Sequence, residues 1–290
     1  MAWSLHIRQA RCMIGKAVLF AVLLGYLVVV VYPLVWLLYT SLKDDRAIFM
    51  SPFSLPDFRH LQWHNFQRAW AGAHFSQYFF NSALVTMTAL VASLLLASMA
   101  AYALSRFRLP GGKPVFFLFL SGLMIPGQLA IIPLFFQMRR LGLLDSRFGL
   151  TLCYIAGSFP FAIFVLAGFF KTLPASLYEA AQIDGCSEWR AFWSIMLPLA
   201  RPGLITVAIF QFLGFWNEFF TAFLFMSGAG SEQIRTLPLG LANIAITSQY
   251  RSDWGTAFAG LVLVTVPALI FYSLLQRHLV KGITMGALKG

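Results

Sequence analysis

The chain has 290 residues, of which 59% are hydrophobic and only 11% charged, with a mean hydropathy of +0.76. A soluble domain of average make-up has roughly a quarter of its residues charged, so this composition cannot coat a water-facing surface and excludes an ordinary soluble enzyme. The net charge of +11 (21 Lys and Arg against 10 Asp and Glu) sits between apolar runs, where it reads as membrane flanks rather than a nucleic-acid surface. Three cysteines are too few and too scattered for a disulfide framework or a zinc site.

A helix needs about 20 apolar residues to cross hydrocarbon, and charge-free stretches predict six spans, at about 17–41, 77–105, 114–138, 149–170, 203–227 and 257–276. The expected fold class is therefore all-α and integral to the membrane, one polytopic domain over 1–290. The first span follows Arg8, Arg11 and Lys16 like a signal peptide, but its apolar run is too long and no small-residue cleavage pattern ends it. Six spans put both termini on one side. With the termini inside, twelve of the 21 basic residues fall on inner segments and nine on outer ones, which favours cytoplasmic termini.

The second span places Ala89, Ser93, Ala97, Ala101 and Ser105 at i+4 spacing, a row of small residues that admits a close helix neighbour. Prolines recur within spans (Pro33, Pro126, Pro133, Pro160, Pro267), each removing a backbone donor and able to kink its helix. Gln128, between Pro126 and Pro133, is either a pore residue or one satisfied locally. His60 and His64 have i, i+4 spacing in the first outer loop, but no neighbouring Cys or Glu completes a metal set, so they read as surface histidines. No catalytic or metal-ligating set is expected. No Gly-x4-Gly-Lys-Ser/Thr phosphate loop occurs either, so no nucleotide cofactor is expected in this chain.

The connection 171–202 has internal structure. Pro174 fits a first helical turn, with Leu177, Ala180 and Ala181 following on one face. Asp184-Gly185 breaks that helix, with glycine suited to a left-handed cap. Ser187 can cap a second helix whose Trp189, Phe192, Trp193 and Met196 form an apolar stripe. Pro198 and Pro202 end it. The prediction is a helix–turn–helix between two spans.

In the fifth span Glu218 is the one carboxylate within any span. A charge there costs roughly 2.5–3.5 kcal/mol on insertion scales, so it should face protein or water. Gln211, Gly214, Glu218 and Thr221 form a polar or small stripe amid Phe210, Phe212, Phe215, Trp216, Phe219 and Phe220. Such a helix could line a path for a sugar, whose hydroxyls need hydrogen bonds and whose C–H faces pack on rings. The alternative is that Asn217 and Glu218 bond helix to helix.

Glu179-Ala180-Ala181, three residues, Gly185, nine residues, Ile195, one residue, then Leu197-Pro198 resembles the EAA loop of ABC importer permeases. The likeness extends to Asn81-Ser82, Tyr102-Ala103, Arg106-Phe107, Pro126, Pro133-Leu134, Pro160-Phe161-Ala162 and Trp216-Asn217-Glu218. It includes the closing segment Gly282 to Gly290 and is similar to the smaller, six-span permease of maltose-type sugar importers. Ser176 departs from it, standing where an acidic residue is usual. The resemblance implies the type I importer architecture and no catalysis in this chain. The implied partners are a homologous second permease, two ATPase subunits that bind ATP and Mg, and an extracytoplasmic sugar-binding protein. It assigns Glu179, Ala180, Ala181, Asp184, Gly185, Ile195, Leu197 and Pro198 to docking in an ATPase cleft. The tail (Gly282, Thr284, Gly286, Lys289, Gly290) would reach the ATPase interface, and Asn81, Gln128, Gln211, Asn217 and Glu218 are candidates for the substrate path.

Location in a bacterial-type cytoplasmic membrane follows from the same resemblance. A related solute such as glycerol-3-phosphate is the alternative cargo, disfavoured by the lack of Lys or Arg within any span. An intramembrane enzyme would need a nucleophile–base or metal set, and a secondary transporter would have no use for a docking loop.

Overall fold

A computed structural model describes residues 2–72, 74–228, 230–251 and 253–287, without the side chains of 2–12, 14, 247–251 and 275–287. Lys289 and Gly290 of the expected tail therefore lie outside the described residues, and Gly282, Thr284 and Gly286 are described only as helical backbone.

The helices in chain order are α1 (Ala2–Thr40), α2 (Asp45–Met50), α3 (His64–Gln67), α4 (Phe75–Arg106), α5 (Gly112–Met124), α6 (Gly127–Arg140), α7 (Arg147–Thr172) and α8 (Ala175–Ile183). They continue as α9 (Glu188–Ala191), α10 (Leu197–Leu199), α11 (Arg201–Trp216), α12 (Phe220–Phe225), α13 (Leu237–Arg251) and α14 (Trp254–Ala287). Among the described residues four helical stretches are long and apolar enough to cross a membrane: Gly15–Thr40, Phe75–Arg106, Arg147–Thr172 and Trp254–Leu274. Two bent pairs, α5 with α6 and Glu188–Leu199 with α11, bring the total to six if each is one span.

Two spans differ from the sequence reading. The stretch 114–138, expected as one helix, bends by 104° between α5 and α6. Ile125 there is extended (φ −91°, ψ 116°), because the Pro126 ring disfavours helical backbone in the residue before it. The stretch 203–227 stops at Trp216 and resumes as the short α12. A further helix, α13, occupies the loop 228–256 that the sequence left without an element.

The backbone falls into two compact units. The first comprises 1–73 and 244–263. Here α1 exposes its apolar side chains, among them Phe20 (68%) and Val29 (69%), a surface suited to hydrocarbon. Asn65 Nδ2 donates to the carbonyls of Ser41 and Lys43, both at 2.9 Å. Asp45 accepts from Gly255 N at 2.8 Å, and Arg68 pairs with Asp253 at 3.1 Å. Lys43 is buried and donates to Ser51 O and Pro52 O, and burial lowers its pKa from the ordinary lysine value. His60 and His64 do not share a helix: His60 Nδ1 bonds Asp57 at 2.9 Å in a turn, while His64 opens α3. No group of three potential metal ligands occurs among the described residues.

The second unit, 74–243 and 264–290, is built on α4 packed along α7. Ala89, Ser93, Ala97 and Ala101 are all fully buried, as the small-residue row required, while Ser105 is half-buried. Ala97 and Ala101 meet Ala162, Ile163, Leu166 and Phe170 of α7 in the larger core. The unfolded alternative for these helices is hydrocarbon, so close packing and hydrogen bonds, rather than exclusion of water, hold them together. At Gly203 a Cβ would lie 2.6 Å from the Phe169 ring, so only glycine lets α11 approach α7 this closely.

Candidate functional site

The connection 171–202 folds as the expected hairpin. Pro174 stands at the N-cap of α8 rather than in its first turn. At the other end Gly185 takes φ +75°, with Gly185 N bonding Gln182 O at 3.0 Å and Cys186 N bonding Ala181 O at 2.9 Å. These two bonds form a Schellman closure, which satisfies the last carbonyls of the helix. Ser187 Oγ then accepts from Arg190 N at 3.4 Å and starts α9. A π-helical turn, Phe192–Met196, links α9 to α10.

A side-chain triad locks the two arms together. Tyr178 Oη donates to Glu188 Oε1 at 2.6 Å, and Gln182 Nε2 donates to both Tyr178 Oη (2.6 Å) and Glu188 Oε1 (2.9 Å). Burial, reinforced by the hydrogen-bonded Glu188 carboxylate, pushes the Tyr178 phenol up to about 12, so it stays a donor. Nothing in the sequence reading singled out this triad, although the i, i+4 spacing of Tyr178 and Gln182 was visible.

Glu179, Ala180, Asp184 and Gly185 all lie exposed on this hairpin, whereas Ala181 is buried against the body. Ile183, also missed, is 86% exposed and gives the face an apolar tip. Ile195 and Leu197 are half-buried against the core, and Pro198 is exposed. The apolar stripe divides: Phe192 and Met196 enter the core, while Trp189 and Trp193 remain outside. The π-helical turn shifts the helical phase within the stripe, so its four members cannot share one face.

The candidate path residues do not converge. At the break after Trp216, Glu218 accepts from the backbone amides of Thr221 (2.7 Å) and Ala222 (3.1 Å) and from Tyr154 Oη of α7 (2.9 Å). Both oxygens are thus engaged, one carboxylate capping α12 and tying it to α7. Asn217 is exposed, and its amide bonds Leu213 O at 2.9 Å. Gln128 is exposed in the first turn of α6, directly after the bend.

Gln211 and Asn81 are buried instead. Gln211 Nε2 donates to Ser93 Oγ at 2.9 Å, and Ser93 meets Ser158 at 2.7 Å, joining α11, α4 and α7. Asn81 donates to Gln233 O and Arg235 O and accepts from Arg147. The expected stripe Gln211–Gly214–Glu218–Thr221 is not continuous, because the helix ends before Glu218 and its register is lost.

Residues 89–285 match the family of binding-protein-dependent transport system inner membrane components. The chain is 42% identical over 274 residues to the diacetylchitobiose uptake system permease protein NgcG of Streptomyces coelicolor, covering 94% of this chain and 89% of that one. It is 33% identical over 274 residues to the trehalose transport system permease protein SugB of Mycobacterium tuberculosis, covering 94% and 97%. Among solved structures it is similar to a bacterial ABC transporter involved in the import of the acidic polysaccharide alginate. That likeness has a TM-score of 0.77 and 27% identity, and covers 90% of this chain and 95% of the other. The chain belongs to this family: it is the inner-membrane, multi-pass permease of a binding-protein-dependent ABC importer, which works with ATPase and binding-protein partners and is not itself catalytic.

Proposed function

We propose that this permease takes up a sugar or oligosaccharide by alternating access, driven by separate ATPase subunits through the 175–199 hairpin. The observation that carries the coupling role is the hairpin itself, whose Glu179, Ala180, Ile183 and Asp184 stand exposed on a frame held by the Gly185 closure and the hydrogen-bonded Tyr178–Gln182–Glu188 triad. Such bracing matters because a joint that transmits motion must not absorb it. The sugar class is supported by relatives named for diacetylchitobiose and trehalose uptake. In this reading the termini and the hairpin are cytoplasmic, a homologous second permease completes the translocation path, and the tail Gly282–Gly290 reaches toward the ATPase. ATP and Mg belong to the ATPase subunits.

In this reading the exposed Asn217 and Gln128 face the path, and Glu218 holds the broken helix that presents Asn217. Reconstitution with the ATPase, second permease and binding protein tests the reading. Sugar-dependent ATP hydrolysis is expected from the complex and none from the permease alone. Hydrolysis by the pure permease, or a complex that moves no sugar bound by its binding protein, refutes it.

A further inference from the structure

The second arm of the hairpin and the end of α4 enclose a groove of about 330 Å³, lined by Tyr102, Phe107, Glu188, Trp189 and Phe192 together with Met99 and Ala103. Tyr102 meets two of its other rings, Phe107 at 5.5 Å and 79° and Phe192 at 5.2 Å and 44°. Trp189, 61% exposed, supplies a fourth. Two polar groups in this lining have unmet capacity. Tyr102 Oη is buried and has no hydrogen-bond partner. Glu188 uses only Oε1 within the hairpin and forms no ion pair among the described residues. Arg106, at the end of α4, makes no ion pair with it; its Nη2 donates to Leu173 O at 2.8 Å.

Ring faces are electron-rich, a carboxylate oxygen accepts, and the phenol oxygen of an orphaned tyrosine can accept as well as donate. These three features together select an organic cation. We propose that the groove receives an arginine side chain of the ATPase subunit docked on the hairpin. The guanidinium bonds Glu188 Oε2 and Tyr102 Oη and lies against Trp189. Arginine suits the site better than lysine, because its flat fork can bond two acceptors while stacking on a ring. The inference rests on the hairpin being the ATPase-docking element, and it adds a second anchor beside the Glu179–Asp184 face.

The test uses the full permease pair in lipid vesicles and measures ATPase-subunit affinity for Tyr102→Phe, Trp189→Leu and Glu188→Gln, with Cys186 crosslinking to the ATPase read in parallel. Glu188→Gln should weaken binding about tenfold and flatten its salt dependence, and the other two should weaken it several-fold. Tyr102→Phe decides the matter. If the groove is only structural, deleting an unpartnered buried hydroxyl leaves affinity unchanged or improves it. Wild-type affinity in both Tyr102→Phe and Trp189→Leu, with Cys186 still crosslinking, refutes the cation site alone. Absence of the wild-type Cys186 crosslink refutes the docking reading beneath it. Rescue of a Glu188→Arg permease by an acidic substitution at one ATPase arginine identifies the partner residue.

Discussion

Gly185 offers the sharpest perturbation of coupling, because its environment separates backbone strain from steric clash. Its φ is +75°, yet a Cβ built there meets nothing within 4 Å. The cost of a side chain is therefore purely conformational, about 1–2 kcal/mol for an ordinary L residue in the left-handed region. That energy acts on the closure formed by Gly185 N to Gln182 O and Cys186 N to Ala181 O, and it shifts the equilibrium constant for forming the turn by about 5- to 30-fold. Asparagine tolerates this region better, and aspartate adds a second carboxylate beside Asp184. The expected order of coupling is glycine, then asparagine, alanine and aspartate. All variants should insert normally, since no span is touched. Sugar-stimulated ATP hydrolysis of the reconstituted importer and the yield of Cys186 crosslinking should both follow that order, with the binding protein's sugar affinity unchanged. If Gly185→Ala couples like wild type, or Gly185→Asn is as defective as Gly185→Asp, positive φ is not what the turn requires.

Four further outcomes are expected. Ala97→Leu forces extra carbons into a fully buried contact of α4, costing about 1–3 kcal/mol in detergent melting, whereas Leu95→Ala, at a position 39% exposed, should be milder; equal melting refutes the packing. Glu218→Gln leaves one oxygen for the amides of Thr221 and Ala222, so α12 should lose about 1–3 kcal/mol and uptake should fall; wild-type melting and uptake would remove the cap from the mechanism. Asn81→Ala removes bonds to Gln233 O, Arg235 O and Arg147, and should speed hydrogen exchange around Leu237 and cost about 3 kcal/mol; unchanged exchange there would refute the clamp. Tyr178 has a raised pKa, so its bond to Glu188 contributes fully below the ordinary phenol value of 10.0 and is lost as pH rises through about 12. Amide protection at Gly185 and Cys186 should thus stay level up to pH 10.0, and Tyr178→Phe should lower it at every pH below that.

Composition and short-range chemistry made much of this protein legible. A chain with 59% hydrophobic and 11% charged residues has no soluble solution, and the apolar runs locate its membrane helices. The hairpin was readable because its determinants act within a few residues: the Gly185 closure reaches back to Ala181, and Ser187 reaches forward to Arg190. The row from Ala89 to Ala101 was readable for the same reason, since small residues at i+4 can serve only a close neighbour.

Tertiary structure decided the rest. No glycine or proline marks the break at Asn217–Phe219, and Glu218 there is held by Tyr154, 64 residues away. Asn81, which looked like a path residue, is claimed by carbonyls 152 and 154 positions further on. Gln211 is claimed by Ser93, 118 residues before it. A polar side chain within a span must find a partner. Short ones reach a carbonyl about one turn back, as Ser98 reaches Leu95 O and Thr151 reaches Arg147 O, whereas Gln211 and Asn81 take theirs from elements distant in sequence. Which element that is depends on packing, and that choice decides which polar residues are buried between helices and which stay exposed.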